Sequence, residues 1–556
     1  MKKTLIAWAA ATLWQLAAPE AVAAGTPPDT PAWLDNAVFY QIYPQTYADS
    51  NGDGIGDLRG IIGKLPYLHA LGITAIWLSP CFESPFRDAG YDISDFYKVA
   101  PRYGSNDDLR RLFAEAGKLG IKVMLDLVAG HTSDRHPWFL QSQRRARNEY
   151  SDRFIWTSSV WTTPKGGNRP WVAGAVERDA NYIVNFFSFQ PALNYGYAKP
   201  DPEQPWQQGV DAPGPRASRA ELMKIMKFWF DLGASGFRVD MAGSLVKNDP
   251  DGSATAALWQ EVRGWMNRDY PDKALVSEWS QPKVAIPAGF HMDFLLEWAV
   301  PGYKRLFRAD GKLAPVFDRS GSTGYRAFLD DFEPLYAATR NRGYIAIPSG
   351  NHDTAPRLGN GRDASDMAVA HAFLLTMPGV PFLYYGDELG MHAQEGLPSK
   401  EGGFNRTASR APMQWDGSAS AGFSSAPASR WYLPPEPGAD RPSVAAQRGK
   451  PDSVLETVRS LIALRRSHPA LGAGGDYRTL SAETGQALVY LRSKGAQRIV
   501  VALNPIGKPV QARLPADLDA GAVRTLAGRD GAFERDGDGW RVTLPAVSYA
   551  IVALQP

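Results

Sequence analysis

Three carboxylates stand just past short apolar runs: Asp240 in GFRVDMAGS, Glu278 in LVSEWS and Asp353 in IPSGNHDTAPR. Each reads as the carboxyl end of a buried parallel strand, where (β/α)8 barrel enzymes keep their reacting groups. A fourth segment, MLDLVAGHTS, brings Asp126 and His131 to the same rim. Acids so placed suit chemistry at an anomeric carbon, where one carboxylate attacks and a second, about 5–5.5 Å away, moves the proton. Asp240 and Glu278 are 38 residues apart, one strand-helix unit, which predicts neighbouring strand ends. Asp353, two strands further round, would face the same centre from another side. Arg238 is two residues before Asp240 on one strand, so both point into the barrel mouth and the guanidinium would hold the acid ionised. His131 and His352 are placed to donate hydrogen bonds to sugar hydroxyls. An acidic rim taken alone is also compatible with metal-assisted hydrolysis, or with carboxylates that cap helices and pair with arginine.

The elements that must carry these residues follow from hydrophobic period. AVFYQIYPQTY (37–47), ITAIWLSP (73–80) and KVMLDLVAG (122–130) read as strands. Between them DLRGIIGKLPYLHALG and SNDDLRRLFAEAGKLG have helical apolar spacing and stop at Gly, which makes parallel βαβ units. From 132 the pattern fails for a long stretch rich in Trp, Pro, Asn and Gly, far beyond the ~4–6 residues of an ordinary connection. It predicts an excursion domain over 132–208. The pattern resumes with ASRAELMKIMKFWFDLG, then GFRVD, LVSE (275–278), YIAIPS (344–349) and PFLYYG (381–386), with GFHMDFLLEW (289–298) completing the set. After an irregular stretch at 387–450, SVLETVRSLIALRRSHPAL is an amphipathic helix that should be the last of the barrel. The expected fold is an α/β (β/α)8 TIM barrel over 25–131 and 209–475. Short alternating runs divided by Gly and Asp turns predict an antiparallel β-sandwich over 476–556.

Composition narrows the partners. Lys plus Arg number 60 and Asp plus Glu 58, a formal charge of +2, so no polyanion is implied and nucleic acid is an unsuitable ligand. The 17 Trp and 22 Tyr suit stacking on sugar faces as well as a large core. Residues 1–24 carry Lys2 and Lys3, then LIAWAAATLWQLAA, and close on AVAAG, the pattern of a secretory signal peptide. The apolar run is shorter than the ~20 residues of a membrane span, so export to the periplasm or outside is expected rather than an uncleaved anchor. Cys81 is the one cysteine and reads as a partly buried strand-end thiol, not a nucleophile.

These segments together resemble the α-amylase family of retaining glycoside hydrolases and transglycosidases, over essentially the whole chain past residue 24. DLVAGH, GFRVD, the Glu of SEW, and SGNHD are similar to the family's four conserved regions, and VPFLYYGDELG and GDGIGDLRGI to two further ones. The resemblance implies Asp240 as nucleophile, Glu278 as acid/base and Asp353 as transition-state stabiliser, with Arg238, His131 and His352 in the sugar subsite. QPALN (190–194), RAPMQWD (410–416) and GYDISDF (90–96) resemble the branch of oligo-1,6-glucosidases, α-glucosidases and trehalose synthases. That implies Asp92 and Arg410 as a pair holding the outer hydroxyls of a terminal glucose, and Tyr91 as its stacking platform.

The loop DSNGDGIGD places Asp49, Asn51, Asp53 and Asp57 at alternate positions around Gly54, with Ile55 offering its carbonyl, in the order of an EF-hand loop's first nine positions. Gly60 stands where the terminal bidentate Glu would be. Members of this branch hold calcium in such a loop, so a structural Ca²⁺ is expected and no organic cofactor. Two departures matter. Gly130 and Ala192 replace the family's usual Asn and Asp, which implies that the amylase calcium between barrel and excursion domain is missing. Met241, where the branch often has Val, Ala or Thr, leaves linkage open. The expectation is an exo-acting retaining α-glucosidase for oligosaccharides or disaccharides. A trehalose synthase-like transferase is the alternative, and an endo-acting amylase or an inactive membrane-tethered relative stands further off.

Overall fold

The computed structural model describes residues 27 and 29–555, apart from 163, 165–169, 175, 398, 401–405, 439, 519–520 and 529. The signal peptide expected over 1–24 lies outside the described residues. Eight strands close a parallel barrel in chain order: β1 (Phe39–Ile42), β2 (Ala75–Leu78), β3 (Lys122–Leu127), β4 (Gly236–Val239), β5 (Ala274–Ser277), β6 (Met292–Phe294), β7 (Tyr344–Pro348) and β8 (Val380–Tyr384). Alternation along each strand sorts the side chains. Phe39, Ala75, Met124, Ala274, Val276, Met292, Phe294, Ala346, Val380 and Phe382 fill the interior, while outward residues such as Ile76, Leu125, Phe237, Ile345 and Leu383 pack into a second, larger core. Toward the carboxyl ends the inward row turns polar, with Gln41, Asp126 and Arg238 all buried.

The helices around the barrel include α1 (Leu58–Leu71), α2 (Asn106–Lys118), α3 (Pro213–Leu232), α4 (Ser253–Asp269), α5 (Arg326–Thr339), α6 (Ala364–Thr376) and α7 (Val454–Ser467). Local chemistry sets their starts. Asp57 caps α1 by accepting from the Gly60 amide, and Ser105 with Asp108 forms a capping box on α2. Helix α3 begins at Pro213, ahead of the periodic stretch that signals it, because proline is tolerated in a first turn whose amide needs no partner.

Between β3 and α3 the chain forms a small excursion with a hairpin of Trp171–Ala173 and Asn181–Ile183 and an aromatic core in which Phe139 stacks on Trp156. After α7 come β9 (Asp476–Ser481), β10 (Leu488–Lys494), β11 (Gln497–Asn504), β12 (Val510–Leu514), β13 (Ala522–Gly528), β14 (Ala532–Asp536), β15 (Gly539–Leu544) and β16 (Ser548–Gln555). They make a five-stranded sheet ordered β9-β10-β11-β16-β13 and a three-stranded sheet ordered β12-β15-β14. One apolar cluster joins the two, Val489, Val500 and Ala502 meeting Ala512, Val542 and Leu544. Among the described residues no helix is long and apolar enough to cross a membrane.

Candidate active site

The carboxyl ends of β3, β4 and β5 deliver Asp126, Asp240 and Glu278 to one guanidinium. Arg238 Nη1 lies 2.9 Å from Asp126 Oδ1 and 3.0 Å from Asp240 Oδ1, and Nη2 lies 3.0 Å from Glu278 Oε2. Asp126 is fixed on its other oxygen by Trp77 Nε1 at 3.1 Å and the Tyr91 hydroxyl at 3.0 Å. Glu278 Oε2 also accepts from the Met241 amide at 3.0 Å. That amide is aimed by a left-handed Met241, φ 46°, a conformation an L-residue holds only when its surroundings impose it.

Three carboxyl groups around one buried cation cannot all be ionised cheaply. Burial raises Asp240 to about 6, against the pull of Arg238, and raises Glu278 to about 7. A side-chain hydrogen bond links the two acids. The cluster therefore retains a proton near neutral pH, and the higher value places it on Glu278.

Asp353, in the loop after β7, faces the same cavity. Arg410 Nη2 lies 2.7 Å and Arg406 Nη1 3.2 Å from its Oδ1. Burial opposes its charge, but the Arg406 and Arg410 guanidinium groups beside it hold its carboxyl well below the usual range. The His352 ring lies parallel to Tyr91 at 5.3 Å, and Gln41 Nε2 donates to its Nδ1 at 3.0 Å. That puts the imidazole proton on Nε2, which sits 3.5 Å from Asp353 Oδ2 and makes no hydrogen bond within the protein. Burial lowers the ring to about 3, so it is a neutral donor beside Asp353.

Two expectations need correction. Asp92 does not pair with Arg410. Its carboxylate turns back on its own loop, accepting from Ser84 Oγ at 2.8 Å and from the Arg87 and Asp88 amides at 3.1 Å each, because a buried acid must find donors and these lie nearest. Arg410 is fully buried behind Asp353, its Nε donating to the His352 carbonyl at 2.8 Å. The acid–arginine pair that lines the cavity is Asp88 with Arg406, which also reaches Asp353. His131 lines the cavity, but its nitrogens serve the protein: Nε2 meets the Tyr91 carbonyl at 3.1 Å, and Asn185 Nδ2 lies 3.0 Å from Nδ1. It braces the platform rather than presenting a donor to a sugar.

Asp88 sits three residues before Tyr91 and Arg406 four before Arg410, so both were visible as spacings in FRDAGYD and NRTASR. Nothing in the sequence says which acid of RDAGYD turns outward. Gly130 has a physical reason: a Cβ there would lie 2.6 Å from Asn185 Nδ2. The cavity as a whole, about 1120 Å³, is also lined by Met241, Trp279, Glu297, Lys304 and two exposed aromatics, Phe186 and Trp298.

The loop at 49–57 is stitched by successive side-chain turns. Asp49 accepts from the Asn51 and Gly52 amides, Asn51 from Asp53, and Asp53 from Ile55. Its donors are all hard oxygens, the type Ca²⁺ takes. Among the described residues no three Asp, Glu, His or Cys side chains form a metal-holding group, so a cation here would also draw on the Asn51 amide oxygen and the Ile55 carbonyl. Cys81 is buried and its thiol is pushed up to about 12 by that burial, which leaves it inert.

Comparison with known proteins agrees with this architecture. The alpha amylase catalytic-domain model matches residues 41–474, and the maltogenic amylase C-terminal domain model matches 477–551. The trehalose synthase/amylase of Mycobacterium tuberculosis (strain H37Rv) is 33% identical over 521 residues, covering 84% of this chain and 81% of the relative. The oligo-1,6-glucosidase of Heyndrickxia coagulans is 31% identical over 540 residues, covering 85% and 92%. Among solved structures, isomaltulose synthase from Erwinia rhapontici NX5 superposes with a TM-score of 0.78 at 27% identity, covering 95% of this chain and 100% of that one. Eight parallel strands, an acid cluster at their carboxyl ends and these matches lead to one conclusion: the chain belongs to the alpha-amylase family and is an enzyme acting on glucosides.

Proposed function

We propose that this enzyme is an exo-acting, retaining α-glucosidase that cleaves terminal α-glucosidic bonds of short oligosaccharides or disaccharides by double displacement. The carrying observation is the single guanidinium of Arg238 that holds Asp240 and Glu278 together. Two acids held on one guanidinium suit the separation of about 5–5.5 Å that a retaining pair uses. In this reading Glu278, kept protonated, gives its proton to the glycosidic oxygen while Asp240 attacks the anomeric carbon. Glu278 then takes a proton from water, whose oxygen displaces Asp240 and releases glucose with its configuration retained. Asp353, held ionised by Arg406 and Arg410, steadies the positive charge that develops on the ring. The neutral His352 Nε2–H supplies a hydrogen bond to a sugar hydroxyl, and the Asp88–Arg406 pair holds the outer hydroxyls of the terminal glucose.

The test is product analysis on maltose, isomaltose, trehalose and sucrose, following free glucose, its anomeric form and any new disaccharide. Early α-glucose supports the reading. Early β-glucose, or starch losing viscosity before glucose accumulates, would overturn it.

A second reading makes another sugar the acceptor, giving isomerisation or transfer. It is favoured by relatives named trehalose synthase and by Phe186 and Trp298, exposed at the cavity mouth where a leaving sugar would be retained. New disaccharide in the same assay would establish it. We also propose that loop 49–57 holds a structural Ca²⁺ through Asp49, Asn51, Asp53, Ile55 and Asp57, and that residues 1–24 direct export. Both rest on the sequence pattern, with the oxygen-rich turns of the loop supporting the first.

A further inference from the structure

Strand β6 carries a buried carboxylate that the proposed chemistry does not use. Asp293 points outward from the barrel, between Met292 and Phe294, which point in. Its register partner on β5 is Ser277, the residue immediately before Glu278. Ser277 Oγ donates to Asp293 Oδ1 at 2.6 Å. The amides of Trp279, Ser280 and Gln281 donate to the same carboxylate at 3.2, 3.1 and 2.7 Å. One acid thus grips the residue before Glu278 and the three after it.

The turn it grips does not hold itself. Ser280 has φ 57°, a left-handed conformation that an L-residue with an ordinary side chain adopts only under constraint. Its hydroxyl is committed to the Leu296 amide at 2.8 Å, which ties the turn to the segment after β6. Without the Asp293 acceptors the buried Trp279 and Ser280 amides would be left unpaired and the Gln281 amide would lose its partner. The turn would then rotate to find partners, and Glu278 would move with it.

We propose that Asp293 is a positioning residue for Glu278: its carboxylate fixes the 279–281 turn and so sets where the acid/base carboxyl meets the leaving oxygen. This rests on the reading of Glu278 as the proton donor. A displacement of about 1 Å in a reacting group can cost on the order of 10²-fold in rate, and general-acid help is worth about 10²–10⁴-fold in all.

The leaving group separates positioning from mere scaffolding. An aryl α-glucoside with a nitrophenolate leaving group departs with little protonation, whereas the sugar of a disaccharide must be protonated. In Asp293→Asn, kcat/KM on the best-used disaccharide should fall on the order of 10–100-fold while the nitrophenyl glucoside loses only about 3-fold or less. Equal losses on both substrates would overturn the proposal, since a loosened scaffold harms every substrate. Ser277→Ala, which removes one donor and leaves the amides in place, covers the case in which Asp293→Asn does not fold. It should show the same split at smaller size, and an even loss there also counts against the proposal. Glu278→Gln is measured beside them: if it shows no leaving-group split, the role given to Glu278 fails, and that outcome is distinct from an even loss confined to the Asp293 and Ser277 variants.

Discussion

Around Arg238 one positive charge faces Asp126, Asp240 and Glu278, and that imbalance decides which acid keeps a proton. Activity should accordingly be bell-shaped in pH. Below about 6 the Asp126 and Asp240 carboxyls, which titrate together, take up a proton and the nucleophile loses charge; above about 7 Glu278 loses its proton and can no longer donate. A kcat/KM profile on a disaccharide should peak between these values, and one still rising at pH 9 would contradict the assignment. Replacing Asp240 by Asn should lower turnover of an aryl α-glucoside on the order of 10⁴-fold with the thermal unfolding midpoint little changed. Retained turnover would remove Asp240 as nucleophile. At this scale the sequence was informative where strand position settles direction, as for Arg238 and Asp240 on one face. It was not where a loop folds back: Asp88 and Asp92 share a segment and a charge, and only donors supplied by Ser84 and the local amides turn Asp92 inward.

Elements do a different job, which is to aim atoms that the strands alone would leave imprecise. The irregular stretch at 387–450 looks like a linker by composition, yet it brings Arg406 to Asp88 and Asp353 and Ser424 to Asp49. Replacing Arg406 by Ala should leave Asp88 without its charged partner, with only Gln190 donating to it. We expect kcat/KM on a disaccharide to fall on the order of 10²-fold, mostly through KM, with inhibition by free glucose weakened in parallel. An unchanged KM would mean that the pair does not touch the sugar. The 49–57 loop also caps α1 through Asp57, so a cation there would couple to a barrel helix. If Ca²⁺ binds, chelation should lower the unfolding midpoint by several degrees, since binding at 100 times Kd adds about 2.7 kcal/mol, and Ca²⁺ but not Na⁺ should restore it. No shift with chelator would dismiss the metal.

On the scale of the molecule, the barrel is the rigid frame, the excursion walls one side of the cavity and the terminal sheets brace the far end of the chain. Arg492 of β10, buried, reaches the carbonyls of Thr376 and Gly472, which fastens those sheets to the end of α6 and to the turn after α7. Export, if residues 1–24 are a cleaved signal, should leave a chain starting near Gly25. The intact mass of protein recovered from the periplasm or medium checks this, and an uncut Met1 in the active fraction would refute it.

The strand and helix order was legible in the sequence because period 2 and period 3.6 are local properties, and a strand buried on both faces advertises itself as an apolar run. The same locality put Asp240 and Glu278 at adjacent strand ends and Asp353 beyond a third. What only tertiary structure decided depends on groups far apart in the chain. The proton shared at Arg238 needs three strands to meet, the Asp88–Arg406 pair spans 318 residues, and Asp293 matters because β6 lies in register with β5. Local periodicity places a residue on a face, but charge balance, burial and hydrogen-bond competition exist only once the faces are brought together.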